Sequence, residues 1–177
     1  MLRLINSRTA ALACALVLAG CAGVKTAPPP AASARPAPAV TADQRAAAPA
    51  ALAAERKWLQ SLFAGTPVRV VQTRDGPLAV EVPREFCFDV GHSEIKPPLA
   101  AVLDKVSQSL GRLPLARVTL LAAPDDAGAA SAPLAQQRAA QLQKHLQSRG
   151  VEAARIDKPS ATTVAAVQLR LETAAPH

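Results

Sequence analysis

The stretch LLAAPDDAGAASAPLAQQRAAQLQKHLQSRGV, residues 120–151, contains the pattern that decides the fold. It opens at the end of an apolar run, which is typical of a buried strand, and residues 124–128 (PDDAG) then break that run. Side chains at helical spacing follow: Leu134, Arg138, Leu142 and Leu146. Gly150 predicts the end of this helix. The stretch therefore predicts a strand, a short acidic loop and a helix.

Two opposite charges flank that loop. Asp125 stands at the tip of the strand and Arg138 in the second turn of the helix, so we expect the two side chains to meet. Arginine presents a planar fork to a carboxylate and aspartate pairs with an amine, so the pair has the chemistry to bind a zwitterion at a pocket mouth. The alternative is structural, with Asp125 capping the loop and Arg138 solvated on its helix. Asp126 is expected to be exposed.

The residues before this stretch predict a hairpin and a further helix. Residues 68–72 and 78–82 are rich in β-forming side chains, and Asp75 and Gly76 between them are a hairpin turn signal. A proline pair at 97–98 then opens a helix. The apolar stripe of that helix is Leu99, Val102, Leu103, Val106 and Leu110.

The remaining elements complete a fold prediction. Residues 118–122 form the next strand, residues 133–149 the next helix, and residues 164–171 a closing strand with Gln168 and Arg170 pointing outward. This order predicts an α+β fold, a two-layer sandwich in which a mixed β-sheet carries two helices on one face. Its topology is β-α-β-α-β with a leading hairpin.

A lone cysteine lies between two aromatic residues ahead of the proline pair. We expect Phe86 and Phe88 to continue the second hairpin strand into the core, with Cys87 between them. Cys14 and Cys21 fall in the N-terminal segment discussed below, so Cys87 has no disulfide partner in the domain. A buried small hydrophobe is the favoured interpretation of Cys87, and a nucleophile is the alternative.

Two phrases of the sequence resemble OmpA-like peptidoglycan-binding domains of the peptidoglycan-associated lipoprotein type. One is FCFDVGHSEIKPPLAAVLDKVSQSL, residues 86–110, and the other lies in residues 118–151. The second phrase matches the family pattern at Asp125, Gly128, Leu134, Arg138, Ala139, Gly150 and Val151. The resemblance covers residues 67–172 and marks a divergent member, because residues 122–125 read AAPD where the family has G-[HY]-T-D.

The resemblance also implies a ligand. In the family, the aspartate that corresponds to Asp125 takes the ammonium group of the diaminopimelate side chain of peptidoglycan. The arginine that corresponds to Arg138 takes its carboxylate. Ser131 stands at the position of the family's loop asparagine, where it either replaces that residue or caps the helix. The family's final N-R-R-V-E falls on residues 164–168, which read VAAVQ.

Residues 1–20 predict a lipoprotein signal peptide. Arg3 and Arg8 precede a short apolar stretch, and Leu-Ala-Gly then leads to Cys21 as in a lipobox. Cys21 is the expected lipidation site, and bacterial lipoproteins to which this segment is similar carry acyl chains such as palmitate there. Ala22 is not the aspartate associated with inner-membrane retention, so we expect the outer membrane. The alternatives are an ordinary secretory peptide and a membrane-spanning helix, for which the apolar run is short.

Residues 21–50 predict a lipidated tether and residues 51–65 a short amphipathic helix. The tether segment is rich in proline and alanine and favours extended conformations. In the helix, we expect Trp58 and Phe63 to pack onto the domain, and attachment to a membrane surface is the alternative. Residues 66–177 form the OmpA-like domain, which we expect to face the periplasm.

Composition and motifs exclude several functions. The chain has 177 residues and a formal net charge of +7, but aromatic residues make up only 2%, so a nucleic-acid partner is not expected. His92, His145 and His177 have no ligand at metal spacing, and His145 is expected to be exposed. No nucleophile elbow or nucleotide-binding loop occurs, so we expect neither a cofactor nor catalysis.

Three functions remain, in decreasing order of support. The first is a non-enzymatic outer-membrane lipoprotein that anchors the envelope to peptidoglycan without a covalent bond. The second is an OmpA-like domain that has lost wall binding and acts as an interaction subunit of an envelope assembly. The third is a wall-modifying enzyme.

Overall fold

The computed structural model describes residues 40–72, 76–125, 132–162 and 164–173. The predicted signal peptide, Cys21 and most of the predicted tether lie outside these residues, as do Asp75, Asp126, Ser131 and His177. The described helices are α1 (Ala42–Leu62), α2 (Pro97–Arg112) and α3 (Ala132–Ser148). The strands are β1 (Arg69–Gln72), β2 (Leu78–Pro83), β3 (Ala116–Ala122), β4 (Ser160–Ala161) and β5 (Ala166–Thr173).

The strands form one mixed sheet, in the order β1-β2-β5-β3-β4. β5 runs antiparallel to both of its neighbours, and β4 runs parallel to β3. Because β2 and β3 both run antiparallel to β5, they are parallel to each other and end at the same edge of the sheet. The predicted α+β fold and its mixed sheet are confirmed, and that shared edge positions the functional site.

One face of the sheet is apolar and is covered by helices. Leu78, Val80 and Val82 alternate toward this face and are buried, as the hairpin pattern predicts. The predicted stripe of α2 is fully buried against it, and α3 adds Leu142 and Leu146. Helix α1 contributes Leu52 and Leu59 to the same core, so three described helices, not the expected two, cover this face.

Helix α1 begins at Ala42, so the predicted boundary between tether and helix at residue 51 is wrong. A capping box starts the helix: the Thr41 hydroxyl accepts the Gln44 backbone N–H at 3.2 Å, and the Gln44 side chain accepts the Thr41 N–H at 2.9 Å. The alanine-rich composition of residues 42–51 resembled that of the tether, which hid this signal. No helix of the described residues is long and apolar enough to cross a membrane.

Helix α1 is joined to α2 by a buried carboxylate. Glu55 is only 7% exposed, and it accepts hydrogen bonds from the Ser109 hydroxyl at 2.7 Å and from Arg112 Nε at 3.1 Å. The Arg112 guanidinium also lies 4.2 Å from the centre of the Trp58 ring. Burial raises the pKa of Glu55, but the hydrogen bonds from Arg112 and Ser109 together lower it by a larger amount. The pKa of Glu55 is therefore below its ordinary value.

The second hairpin strand ends before the aromatic residues, which differs from the expectation. A short 3-10 helix at Arg84–Phe86 follows β2 directly and leaves Phe86 36% exposed, whereas Phe88 is buried. Cys87 is buried too, with Sγ 3.2 Å from the Pro83 carbonyl oxygen, and burial raises the pKa of its thiol to about 12. This environment fits a buried small hydrophobe and not a nucleophile.

The closing strand occupies Ala166–Thr173, two residues later than predicted. Gln168 and Arg170 lie on the face opposite the helices, as expected, and Arg170 is exposed. Gln168 is nevertheless buried, since its amide donates to Glu81 Oε1 at 2.9 Å and accepts from Arg170 Nη2 at 2.9 Å. The side chains of Glu81 and Arg170 therefore cover Gln168, on a face of the sheet that none of the described helices covers.

We expect Gly150→Ala to lower the free energy of unfolding by about 1 kcal/mol, because a Cβ is unfavourable in the left-handed conformation. Gly150 follows α3 with φ +86°, and no atom lies within 4 Å of where its Cβ would stand, so the cost is conformational. Gly111→Ala is the matched control, since Gly111 lies inside α2 with equally open surroundings. Urea unfolding should show the control to be neutral or stabilising; equal losses would contradict the assignment.

We expect Glu55→Gln to reduce the free energy of unfolding at neutral pH by about 1–3 kcal/mol, because it weakens charge-assisted hydrogen bonds. Since the pKa of Glu55 is lowered on folding, its contribution is present above the ordinary value of 4.5 and is lost as the pH falls below it. The difference between wild type and variant should therefore shrink in acid. Glu172→Gln, at an exposed position of β5, is the matched control and should change the free energy of unfolding by less than about 0.5 kcal/mol.

Candidate functional site

Asp125 and Arg138 form the ion pair that the sequence predicts. Arg138 Nη2 lies 2.7 Å from Asp125 Oδ1. Asp125 follows the end of β3, and Arg138 projects from α3, which covers the same sheet edge. Strand β3 positions Asp125. Helix α3 positions Arg138, because Arg138 lies on the buried face of this helix with Ala135, Ala139 and Leu142.

The Arg138 guanidinium is inside the protein, with 0% of the side chain exposed. Its Nε donates to the His92 carbonyl at 2.9 Å, Nη1 to the Ala123 carbonyl at 3.1 Å and Nη2 to the Asp89 carbonyl at 3.0 Å. Its Cζ also lies 4.8 Å from the centre of the Phe88 ring. Neither sequence-based interpretation of Arg138 therefore describes it: it is not solvated on its helix, and it does not open onto solvent as part of a pocket mouth.

Asp125 is the part of the pair that reaches the surface, with 16% of its side chain exposed. Its Oδ2 accepts the backbone N–H of Gly91 at 2.6 Å. Gly91 has φ +77°, a conformation that glycine adopts without a Cβ penalty. Burial raises the pKa of Asp125, but the Gly91 N–H and the positive charges of Arg138 and Arg84 together lower it by a larger amount. The pKa of Asp125 is therefore below its ordinary value, and the carboxylate is ionised at neutral pH.

Arg84 is a third charged residue at this edge, and the sequence analysis missed it. Its Nη1 donates to the carbonyl oxygen of Pro124 at 3.3 Å and to that of Asp125. Its backbone N–H donates to the Ala165 carbonyl at 3.3 Å, which holds the start of the 3-10 helix beside the approach to β5. The parallel alignment of β2 and β3 is the feature that could have indicated Arg84, because residues that follow two parallel strands lie at one edge of the sheet.

The loop of residues 89–96 forms the outer wall of the site. Lys96 Nζ lies 3.0 Å from Asp89 Oδ1 and donates to the Glu85 carbonyl at 3.1 Å. His92 and Glu94 are both largely exposed, with His92 Nδ1 3.5 Å from Glu94 Oε2. Val90 at the tip is 83% exposed. The loop thus contacts the Asp125 carboxylate through the Gly91 N–H and carries exposed charged side chains beyond it.

Other residues considered for function lie elsewhere. His145 is not exposed as expected: 17% of its side chain is accessible, and Nε2 lies 2.7 Å from Asp104 Oδ1, to which Arg149 Nε also donates at 2.7 Å. This cluster links α2 to α3. Within the described ranges, no group of three His, Cys, Asp or Glu side chains is placed to hold a metal ion. Ser131 is outside the described residues.

Comparisons with solved structures identify the fold. A MotB-like protein from Desulfovibrio vulgaris superposes with a TM-score of 0.60 at 17% identity, over 76% of this chain and 96% of that one. This chain has the OmpA-like fold. The periplasmic domain of Helicobacter pylori MotB gives a TM-score of 0.52 at 16% identity, over 64% of this chain and 82% of that domain.

A cell wall anchor has the same OmpA-like fold. The cell wall anchor of the T6SS from Pseudomonas aeruginosa superposes with a TM-score of 0.50 at 14% identity, over 73% of this chain and 99% of that one. No protein-family model matches the sequence, and no curated protein does. The likeness is therefore one of fold, and the divergence expected from the altered motifs fits these low identities.

We expect Arg138→Lys to reduce the free energy of unfolding by about 3 kcal/mol, because an ammonium group leaves buried carbonyls without the planar fork that pairs them. The matched control is Arg117→Lys, since Arg117 also pairs with an aspartate, Asp157, but is 47% exposed. The control should lose less than about 1 kcal/mol in the same urea series. Similar losses for both variants would contradict a structural role for the buried fork.

Proposed function

We propose that this protein binds peptidoglycan without a covalent bond, through the surface around Asp125. The observation that carries the proposal is the Asp125–Arg138 ion pair, in which the carboxylate is ionised, fixed and partly exposed. The OmpA-like fold supports it, since a cell wall anchor is among the structures with this fold. The proposed role is that of an anchor and not of an enzyme.

The two residues have different parts in the proposed site. Asp125 contacts the ammonium group of the diaminopimelate side chain, because a carboxylate with a lowered pKa stays charged throughout the neutral range. Arg138 acts through Asp125: it holds Oδ1 from below and ties the carboxylate to Asp89 and His92 in the outer loop. Ser131 stays a proposed contact on the strength of its position in the family motif.

The proposed attachment to the outer membrane is a lipid on Cys21, with the domain facing the periplasm. Its support is the lipobox at residues 18–21. Because α1 starts at Ala42, the proline- and alanine-rich tether is about 20 residues long. At about 3.1 Å per extended residue, it spans up to about 60 Å. A tether of that length lets a membrane-anchored domain reach a polymer layer beneath the membrane.

An interaction subunit of an envelope assembly is the second candidate. The observation in its favour is the burial of Arg138, whose donors are bonded to protein carbonyls. A domain that uses this arginine only to hold its own loops keeps the fold without binding the wall. The polar sheet face, which no described helix covers, then becomes available to a protein partner.

Retention on purified sacculi tests the first candidate. The full chain carrying Cys21→Ser, which blocks lipidation, is compared with the same chain carrying Asp125→Asn or Asp157→Asn. We expect Asp125→Asn to lose between about tenfold and a hundredfold in affinity, because a charge-assisted contact contributes about 1.5–3 kcal/mol. Asp157→Asn should bind like the parent, since it removes the carboxylate of the Arg117 pair instead.

The same assay separates the two candidates. Equal retention of the parent and Asp125→Asn rejects the proposed site. Absence of retention for the folded parent, together with a stable protein partner captured by crosslinking in intact cells, favours the interaction subunit. Circular dichroism of every variant ensures that a loss of binding is not a loss of fold.

A further inference from the structure

A zwitterionic ligand at Asp125 needs a positive partner for its carboxylate, and Arg138 is poorly placed to supply it. Four donor contacts of Arg138 go to Asp89, His92, Ala123 and Asp125, and its side chain has 0% exposure. A ligand carboxylate would have to enter the protein and replace a carbonyl there. Since that carbonyl would then be buried without a donor, the exchange carries a cost of desolvation.

Arg84, in the 3-10 helix after β2, contacts the turn after β3 that carries Asp125, the proposed partner of the ligand's ammonium group. Its Nη1 bonds the carbonyl oxygens of Pro124 and Asp125, so the guanidinium lies against the backbone whose side chain would bind the ammonium group. Arg84 is only partly buried. Among the described residues, the hydrogen bonds of its side chain all use Nη1, so they leave Nη2 and Nε of the fork for an incoming anion.

Lys96 is another cation near this edge and is less suited to the role. Its ammonium group is paired with Asp89 at 3.0 Å and bonded to the Glu85 carbonyl at 3.1 Å. An ammonium is also a point charge, whereas a guanidinium can give two parallel N–H bonds to one carboxylate. The geometry of the edge thus favours Arg84.

We propose that Arg84, and not Arg138, binds the carboxylate of the zwitterionic diaminopimelate end while Asp125 binds its ammonium group. This inference rests on the proposed wall binding and changes the assignment of one contact within it. In this arrangement, the two arginines have different roles. Arg138 is a positioning residue that fixes Asp125 from inside, and Arg84 is the specificity-determining residue at the surface.

The division predicts how each residue responds to a change in the ligand. The probes are a wall peptide that ends in zwitterionic diaminopimelate and the same peptide with that carboxylate amidated. The full chain with Cys21→Ser should bind the free-acid peptide about tenfold more tightly than the amide, as measured by calorimetry. Arg84→Gln should bind both peptides equally, at the level of the amide. Arg170→Gln, at an exposed arginine of β5, should keep the parent's preference.

Asp125→Asn provides the complementary measurement. It removes the ammonium contact, so it should weaken binding of both peptides by the same factor and leave their ratio unchanged. If Arg84→Gln proves unfolded by circular dichroism, Arg84→Lys serves instead, and loss of the planar fork should reduce the preference severalfold.

Three results of these binding measurements would contradict the proposed role of Arg84. An unchanged preference in the folded Arg84 variant overturns the assignment of Arg84 while leaving wall binding intact. Loss of the preference only in Arg138→Lys would return the carboxylate contact to Arg138. If the parent binds neither peptide nor sacculi, the proposed function fails and the role of Arg84 fails with it.

Discussion

Burial of the Arg138 guanidinium determines how the loops are arranged at the edge of the sheet where β2 and β3 end. A cation with no exposed surface is tolerated only if hydrogen bonds and a counter-charge replace the water it has lost. Arg138 obtains them from the turn after β3 and from the loop after β2, which are distant in sequence. Both connections must therefore adopt the conformations that present carbonyl groups inward, and the Phe88 ring covers the remaining side. The shape of the site follows from this requirement.

The same constraint is the reason why we assign the proposed binding to the neighbours of the buried arginine. A guanidinium surrounded by protein carbonyls contributes little to a ligand directly, but it keeps Asp125 ionised and in place. In the proposed site, ligand recognition depends on the groups around Asp125 that solvent reaches. Asp125, Arg84 and the Gly91 backbone stand there and are joined to the buried centre by hydrogen bonds. In this proposal, Arg138 contributes to stability, whereas Asp125 and Arg84 contribute to binding.

Helix α1 determines where the folded domain begins. It is part of the folded domain and not a separate amphipathic segment, because Leu52 and Leu59 complete the core and Glu55 is bonded to α2. The folded domain therefore begins at the capping box of Thr41.

The amino-acid sequence by itself predicted α2, α3 and four of the five described strands in their order, because alternation, helical stripes and breakers are local patterns. It missed the two-residue strand β4, which is too short to show a pattern. It favoured the pairing of Asp125 with Arg138, which the structure shows. It also placed the end of α3 at Gly150 and the start of α2 at Pro97, since both signals act within one turn. It placed the start of α1 wrongly, because a capping box within an alanine-rich segment is a weak signal.

Only the tertiary structure decided that Arg138 is enclosed, that Arg84 reaches the Asp125 loop and that Gln168 is covered by its neighbours. These facts depend on which carbonyls and side chains from distant segments face a given group, and no local periodicity records that. The physical reason is that a charged side chain takes its partners from whatever the packed elements bring within about 3 Å of it.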